Sequence, residues 1–370
     1  MGTPAFDPAQ LQRIAGRIGD AAVDPSLWPD IMEGLCSAVH ALGAGLLQSD
    51  IRTPDIPRTA GVDQAFRAYF ANRWHMCDVR AERAVPLLLH GAKVVIDQDI
   101  FSPEEMRSLP YNADYMASIG LHWFAVVGFQ AGPAYWGLSI QRSASQGPFE
   151  PDEKRALAAL SPHLSAAATL SHAVGKSALS GITNALSLVG QPALALDRMG
   201  FVLEANAKAE QIFDDDVRVC NRRLVVRDQR AKTALETLID QLRTTPDTAA
   251  LSVKPISVAR RTKRSLLIRI LPVDGPARSP FLGARALLVF SDLEKQWGPQ
   301  PHVLAQTFGL SPAESRLAAL IATGISPECA AERLGLARET VRTQLKAVFQ
   351  KTETHRQSEL IALLSRLSED

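Results

Sequence analysis

Two helix-start signals stand one behind the other near the end of the chain, and they constrain that region more tightly than any other feature. Ser311-Pro312-Ala313-Glu314 is a capping box with proline at the first helical position. The serine oxygen accepts from the Glu314 backbone N–H, and the glutamate side chain reaches back to the serine N–H. The spacing predicts a helix with Leu317, Leu320 and Ile321 inward, stopping at Gly324, which tolerates left-handed backbone. Ser326-Pro327-Glu328 opens a second helix in the same way, carrying Ala330, Ala331 and Leu334 and ending at Gly335. A turn of about three residues then leads into a third helix, the spacing a helix-turn-helix requires.

That third helix, opening at Arg338, sets Val341, Leu345 and Val348 on one side and Arg342, Thr343, Lys346 and Gln350 on the other. Arg338, Arg342 and Lys346 form a row at i, i+4, i+8. A fourth helix around 356–367 offers Leu360, Ile361, Leu363, Leu364 and Leu367. The major groove of a duplex admits one α-helix, where Arg and Gln pair with purine edges. Lys and Arg also neutralise phosphates, which makes affinity salt-dependent. Forty basic residues face thirty-nine acidic ones, a net charge of +1, so binding to DNA needs a local basic surface of this kind.

Residues 308–367 resemble the helix-turn-helix domain of the LuxR type. Leu310, Glu314, Leu317, Gly324, Leu334, Thr340, Val341, Leu345, Lys351 and Leu360 fall where that family's pattern (LTxxE, then G, then TVxxHxxxIxxKL) wants them. Cys329 departs from the usual Glu, Gln344 from a frequent His, and Glu353 from a frequent Gly. Ala337 replaces the usual serine cap of the third helix, a loss of about 1 kcal/mol locally. The resemblance implies an all-α four-helix domain over 297–370 whose third helix enters the major groove of double-stranded DNA. It also implies that the fourth helix helps pair two copies into a homodimer. By the same resemblance Thr340, Arg342, Thr343 and Lys346 are base-side and groove-wall candidates, joined by Arg338 and Gln344, with Lys351 on phosphate.

Upstream the chain is long enough for two further domains. All four tyrosines and four of the five tryptophans lie before residue 140. Residues 1–176 open with helical patterns, continue with strand-like AKVVIDQ, WFAVVGFQ and YWGLSIQ, and close with an Ala-rich helix near 151–175. Helices flanking an antiparallel sheet predict an α+β sandwich. The pattern GLHWFAVVGFQ…YWGLSIQR followed by a long helix resembles GAF-type or autoinducer-type sensor domains. Tyr69 and Asp78 stand nine apart, the spacing of a ligand-contacting pair in the autoinducer-binding family, although Ala65 and Val79 stand where that family has Trp and Pro. A more general alternative is an apolar small-molecule pocket lined by Tyr69, Trp74, Trp123 and Trp136. The same rings also fit simple core packing. Alternation puts Trp123 on the opposite strand face from Phe124.

Residues 177–296 read as a hairpin (PALALD, RMG, FVLEAN), a short helix, a strand RRLVVRD, an amphipathic helix over 231–243 and three closing strands. This order is similar to a PAS domain. Loops rich in Pro and Gly at 272–283, and the segment 295–301, punctuate it. No histidine falls within 176–301, which argues against His-ligated haem. Cys220 reads as a core cysteine and Asp214-Asp215-Asp216 as a solvated loop.

The eight histidines show no HExxH or HxE…CxxC spacing, and no GxSxG, P-loop or GxGxxG occurs, so an enzyme, a cofactor and a metal are not expected. Four scattered cysteines suit a reducing compartment. The uncharged stretch 121–140 contains Pro133 and three glycines, and two strands joined by a tight turn explain it better than a membrane span. The start lacks a secretory pattern, and Phe6 stands where a myristoylation signal wants Ser or Thr. The expectation is a cytoplasmic, multidomain transcription regulator that answers a small-molecule effector. The rival is a sensor or adaptor whose C-terminal helices pair with protein instead of DNA.

Overall fold

The computed structural model describes residues 6–49, 54, 56–132, 134–244, 254–294 and 299–367. Its first sheet is antiparallel in the order β1-β4-β3-β2, with β1 at Gly43–Gln48, β2 at Val94–Ile96, β3 at Trp123–Ala131 and β4 at Ala134–Arg142. The uncharged stretch is the β3–β4 hairpin, with Phe124 opposite Gln141 and Phe129 opposite Trp136. Gly132 at φ +57° supplies a backbone conformation in its turn that other residues adopt at a cost. Among the described residues no helix is long and apolar enough to cross a membrane.

Helices α1 (Trp28–Ala38), α2 (Ala60–Ala71), α3 (Val79–Leu89) and α4 (Leu160–Leu188) flank this sheet. Strand alternation sends Ala44, Leu46, Val127, Phe129, Trp136, Leu138 and Ile140 to one face, where α1 and α4 cover them with Trp28, Leu35, Leu160 and Leu164. Burying each such large side chain contributes about 1.5–3 kcal/mol. The other face, with Phe124 and Val126, lies under α2, α3 and the turn Tyr111–Met116.

A second antiparallel sheet follows in the order β6-β5-β11-β10-β9, with β5 at Ala193–Asp197, β6 at Val202–Ala205, β9 at Ile256–Val258, β10 at Leu266–Pro272 and β11 at Ala284–Asp292. Helix α5 (Gln229–Thr244) lays Ala231, Leu235, Leu238 and Leu242 on one face, against Leu196, Ile268, Leu288 and Phe290. Strands β7 (Val217–Cys220) and β8 (Arg223–Val226) form a separate hairpin. Two expectations are corrected there. Cys220 is exposed, because the short hairpin points it away from the core. Two of the three acidic residues are engaged: Lys263 Nζ donates to Asp214 at 2.9 Å and Arg261 Nε to Asp216 at 3.0 Å, while Asp215 is exposed.

Helix α4 serves both sheets. Its first half packs on β3, while Leu179 joins Ala193, Ala195, Leu287 and Val289 on the second sheet's other face. The boundary expected at 176/177 falls inside this helix, and the one at 296/297 lies outside the described residues. The β10–β11 loop is not a mere connector. It inserts Phe281 among Trp28, Phe129 and Trp136, edge to face at centroid distances of 5.4, 5.9 and 5.1 Å. Beside it the buried hydroxyls of Ser171 and Ser279 are 2.7 Å apart. Gly175 permits this closeness, since a Cβ there would stand 2.8 Å from the Pro276 carbonyl oxygen. Gly175→Ala is therefore expected to cost about 1–3 kcal/mol by overpacking, read as a lowered midpoint in urea unfolding.

The last helices are α6 (Pro301–Phe308), α7 (Pro312–Ala322), α8 (Pro327–Leu334), α9 (Arg338–Lys351) and α10 (Gln357–Leu364). They enclose their own core of Leu304, Leu317, Ile321, Ala330, Ala331, Val341, Leu345, Val348, Leu360 and Leu364. Helix α6 goes beyond the four helices read from the sequence.

Candidate functional site

In the C-terminal bundle the helix signals act as their chemistry dictates. Glu314 N donates to Ser311 Oγ at 3.3 Å and Ser311 N to Glu314 Oε2 at 2.7 Å, closing the capping box. Ser326 Oγ accepts from Cys329 N at 3.3 Å. Gly335 at φ +64° ends α8 and turns the chain toward α9, whose cap position, Ala337, offers no side-chain bond. Val341, Leu345 and Val348 seat α9 on α7 and α8, so its opposite edge is fixed outward. Arg338, Thr340, Arg342, Thr343 and Lys346 are all exposed there. Arg342 and Lys346 make no ion pair or hydrogen bond among the described residues; Glu328, held below the usual carboxylate range first by hydrogen bonds from its own backbone and Ser326, also feels the charge of Arg338.

Two residues of the expected set sit elsewhere. Lys351 is committed inside the bundle, its Nζ 2.7 Å from Glu314 Oε2 and 3.2 Å from the Gly309 carbonyl, so it pins the end of α9 to the start of α7. Gln344 is half-buried, with Oε1 unpartnered, between the apolar and cationic edges. Thr343 turns its hydroxyl back to the Glu339 carbonyl at 2.9 Å. Leu360 and Leu364 of α10 point into the bundle's own core, leaving Leu363 and Ile361 partly exposed. Because Glu314 serves both the cap and Lys351, Glu314→Ala is expected to cost about 1 kcal/mol, measured as a lowered Tm.

The first sheet carries a second feature. A cavity of about 90 Å³ lies between its second face and α2, α3 and Tyr111–Met116. Strand alternation brings Phe124, Val126, Gly137, Ser139 and Gln141 to it from the sheet, and α2 and α3 bring Phe66, Tyr69, Asp78 and Arg80. The Tyr69 hydroxyl donates to Asp78 Oδ2 at 2.6 Å, and Asp78 Oδ1 caps α3 by accepting from Ala81 N at 3.0 Å. Arg80 Nε meets Asp97 Oδ1 at 2.9 Å, and its Nη2 donates to the His122 carbonyl at 2.6 Å. Phe124 N completes the Asp97 shell at 2.6 Å. Burial pushes the Asp97 carboxyl up to about 6 against the pull of Arg80 and the Phe124 N–H. Burial likewise pushes the Tyr111 hydroxyl well above its ordinary range, so it stays protonated.

Of the aromatic set read from the sequence, Tyr69 lies on the cavity wall together with Asp78. Trp74 stacks on Tyr115 at 5.0 Å, behind that wall. Trp136 borders the cavity, but its ring occupies the opposite sheet face beside Phe281, as even-numbered positions of β4 must. Trp123 is not in the lining and packs edge-on to His122 at 4.7 Å. The shared-pocket expectation for these tryptophans is therefore corrected. The sequence reading missed Arg80, Ser139 and Gln141. Polar residues at alternate positions of the otherwise apolar YWGLSIQR were the available signal for the last two.

The chain is a mixed α/β protein with several antiparallel sheets and a terminal helical bundle, and a cavity with both apolar and polar lining lies against its first sheet. No protein family matches it, and no curated protein does. Among solved structures it is similar to the phage VqmA–DPO complex, at 15% identity, over 53% of this chain and 92% of that one, with a TM-score of 0.22. It is also similar to the E. coli DhaR(N)–DhaL complex, at 9% identity, over 76% of this chain and 87% of that one, with a TM-score of 0.22. At such scores neither is a basis for assigning fold or function.

Proposed function

We propose that this chain is a DNA-binding transcription regulator of the LuxR type, in which α9 reads the major groove and the first sheet's cavity holds a small effector. The observation that carries this reading is the exposed row Arg338, Arg342 and Lys346 on a helix whose other edge is locked into a capped bundle. An exposed cationic edge on a helix seated in a packed bundle is what phosphate neutralisation and base-edge contact use. Thr340 and Thr343 flank the row as groove-wall contacts; Lys351, held by Glu314, serves the bundle. The first segment acts as a GAF-like or autoinducer-like sensor and the second sheet as a PAS-like coupler. Two copies pair on the operator, and no catalysis is involved.

The test is selection of duplexes from a random pool by the full-length chain. The expected product is a twofold-symmetric site with half-sites about one helical turn apart. Failure to retain any duplex at low salt, about 50 mM, would overturn the reading.

A further inference from the structure

Two buried polar atoms in the cavity wall have no partner among the described residues: Arg80 Nη1 and Gln141 Oε1. Arg80 is 3% and Gln141 8% exposed, so both side chains are shielded from bulk solvent. Each such orphan costs about 1–3 kcal/mol while it stays unmet. One is a donor and the other an acceptor, and both residues line one cavity. The other polar atoms of these two side chains that form bonds are engaged within the wall. Arg80 spends its other nitrogens on Asp97 and His122 O, and Gln141 spends Nε2 on Ser139 Oγ at 2.8 Å.

We infer that the cavity takes a compact, electrically neutral molecule that carries both a hydrogen-bond acceptor, for Arg80, and an N–H or O–H donor, for Gln141. This rests on the reading of the first segment as a small-molecule sensor and specifies what it senses. Charge decides against an ion. Arg80 is balanced by Asp97, and the Asp78 carboxylate is met by the Tyr69 hydroxyl and the start of α3. An anionic ligand would add a second buried negative charge beside Asp78, and a cation would have to displace the Tyr69 hydroxyl or the α3 cap from Asp78 while facing the guanidinium. Size limits the part of a ligand that can sit inside. The cavity's 90 Å³ is smaller than the roughly 150 Å³ apolar cavity that takes benzene, so about four to six heavy atoms fit. Phe66, Tyr115 and Phe124 supply the apolar walls.

The test uses full-length protein without DNA and four probes of similar size: 2-pyrrolidinone, cyclopentanone, butanoate and pyrrolidinium. Ligand-observed NMR titration gives their relative affinities. The lactam is expected to bind at least about fivefold tighter than the acceptor-only ketone, as one added hydrogen bond of ordinary strength provides. Gln141→Leu is expected to remove that advantage while leaving the ketone unchanged. Equal or tighter binding of butanoate or pyrrolidinium overturns the inference, as does a lactam that binds Gln141→Leu like the unaltered chain, or no binding by any probe. If Gln141→Leu does not fold, the four-probe ranking on the unaltered chain decides alone. A duplex titration on the same preparation separates the two claims. Duplex binding with no lactam binding sinks only the ligand class. Lactam binding with no duplex binding at low salt sinks only the regulator reading.

Discussion

The full-length chain with Arg342→Ala and Lys346→Ala together is expected to bind duplex about a hundredfold more weakly than the unaltered chain, with its log–log salt slope flattened by about two. Each side chain accounts for roughly tenfold and one released counterion. Both project from the outer edge of α9 without partners among the described residues, so the Tm should stay within a degree or two. That separation matters, because loss of binding through unfolding would prove nothing. Fluorescence anisotropy with a labelled duplex at two salt concentrations measures the slope directly. If the folded double variant retains both the affinity and the slope, α9 is not the DNA contact.

Phe281→Ala should produce the largest loss of stability among the substitutions considered, about 3–5 kcal/mol. Its ring is buried in edge-to-face contact with three other aromatic rings, and truncation leaves a hole in a core otherwise built by a different part of the chain. The loss should fall on cooperativity as well as on the midpoint. With the plug gone, calorimetry is expected to resolve separate transitions for the two sheets. Leu271→Ala on the neighbouring strand, a residue 46% exposed, serves as the control and should change stability by no more than about 0.5 kcal/mol. A Phe281→Ala chain that melts like the control would show that the loop merely rests against the first core.

How much of this was legible beforehand depended on the distance between a residue and what it needs. Helix starts and stops are encoded by neighbours three or four residues apart, so Ser311, Ser326, Gly324 and Gly335 announced the terminal bundle. Helix α6 escaped because Gln300 gives it no side-chain cap, although Pro301 and Gly309, at φ +63°, mark its ends in hindsight. Alternation could not tell which sheet face held a cavity and which a core, and Trp123, at the first position of β3, packs against the cluster of Phe124 and Val126 instead of standing apart from it. Trp136 was therefore assigned to the wrong face. Arg80 finds Asp97 seventeen residues away and Lys351 finds Glu314 thirty-seven away. No local pattern encodes such pairs. The Pro- and Gly-rich loop at 272–283 looked like punctuation for the same reason: only the tertiary arrangement reveals that Phe281 fills a gap between distant aromatics.

Strand β4 is a partition with different tenants on its two sides. Gly137, Ser139 and Gln141 border the hollow, while Trp136 just before them leans on a ring that belongs to the loop ahead of β11. Pressure applied to one side of a single hydrogen-bonded ribbon is delivered on the other without passing through solvent. The first thing it reaches is the wedge that joins the two sheets, so occupancy of the hollow and the seating of that wedge share one mechanical part.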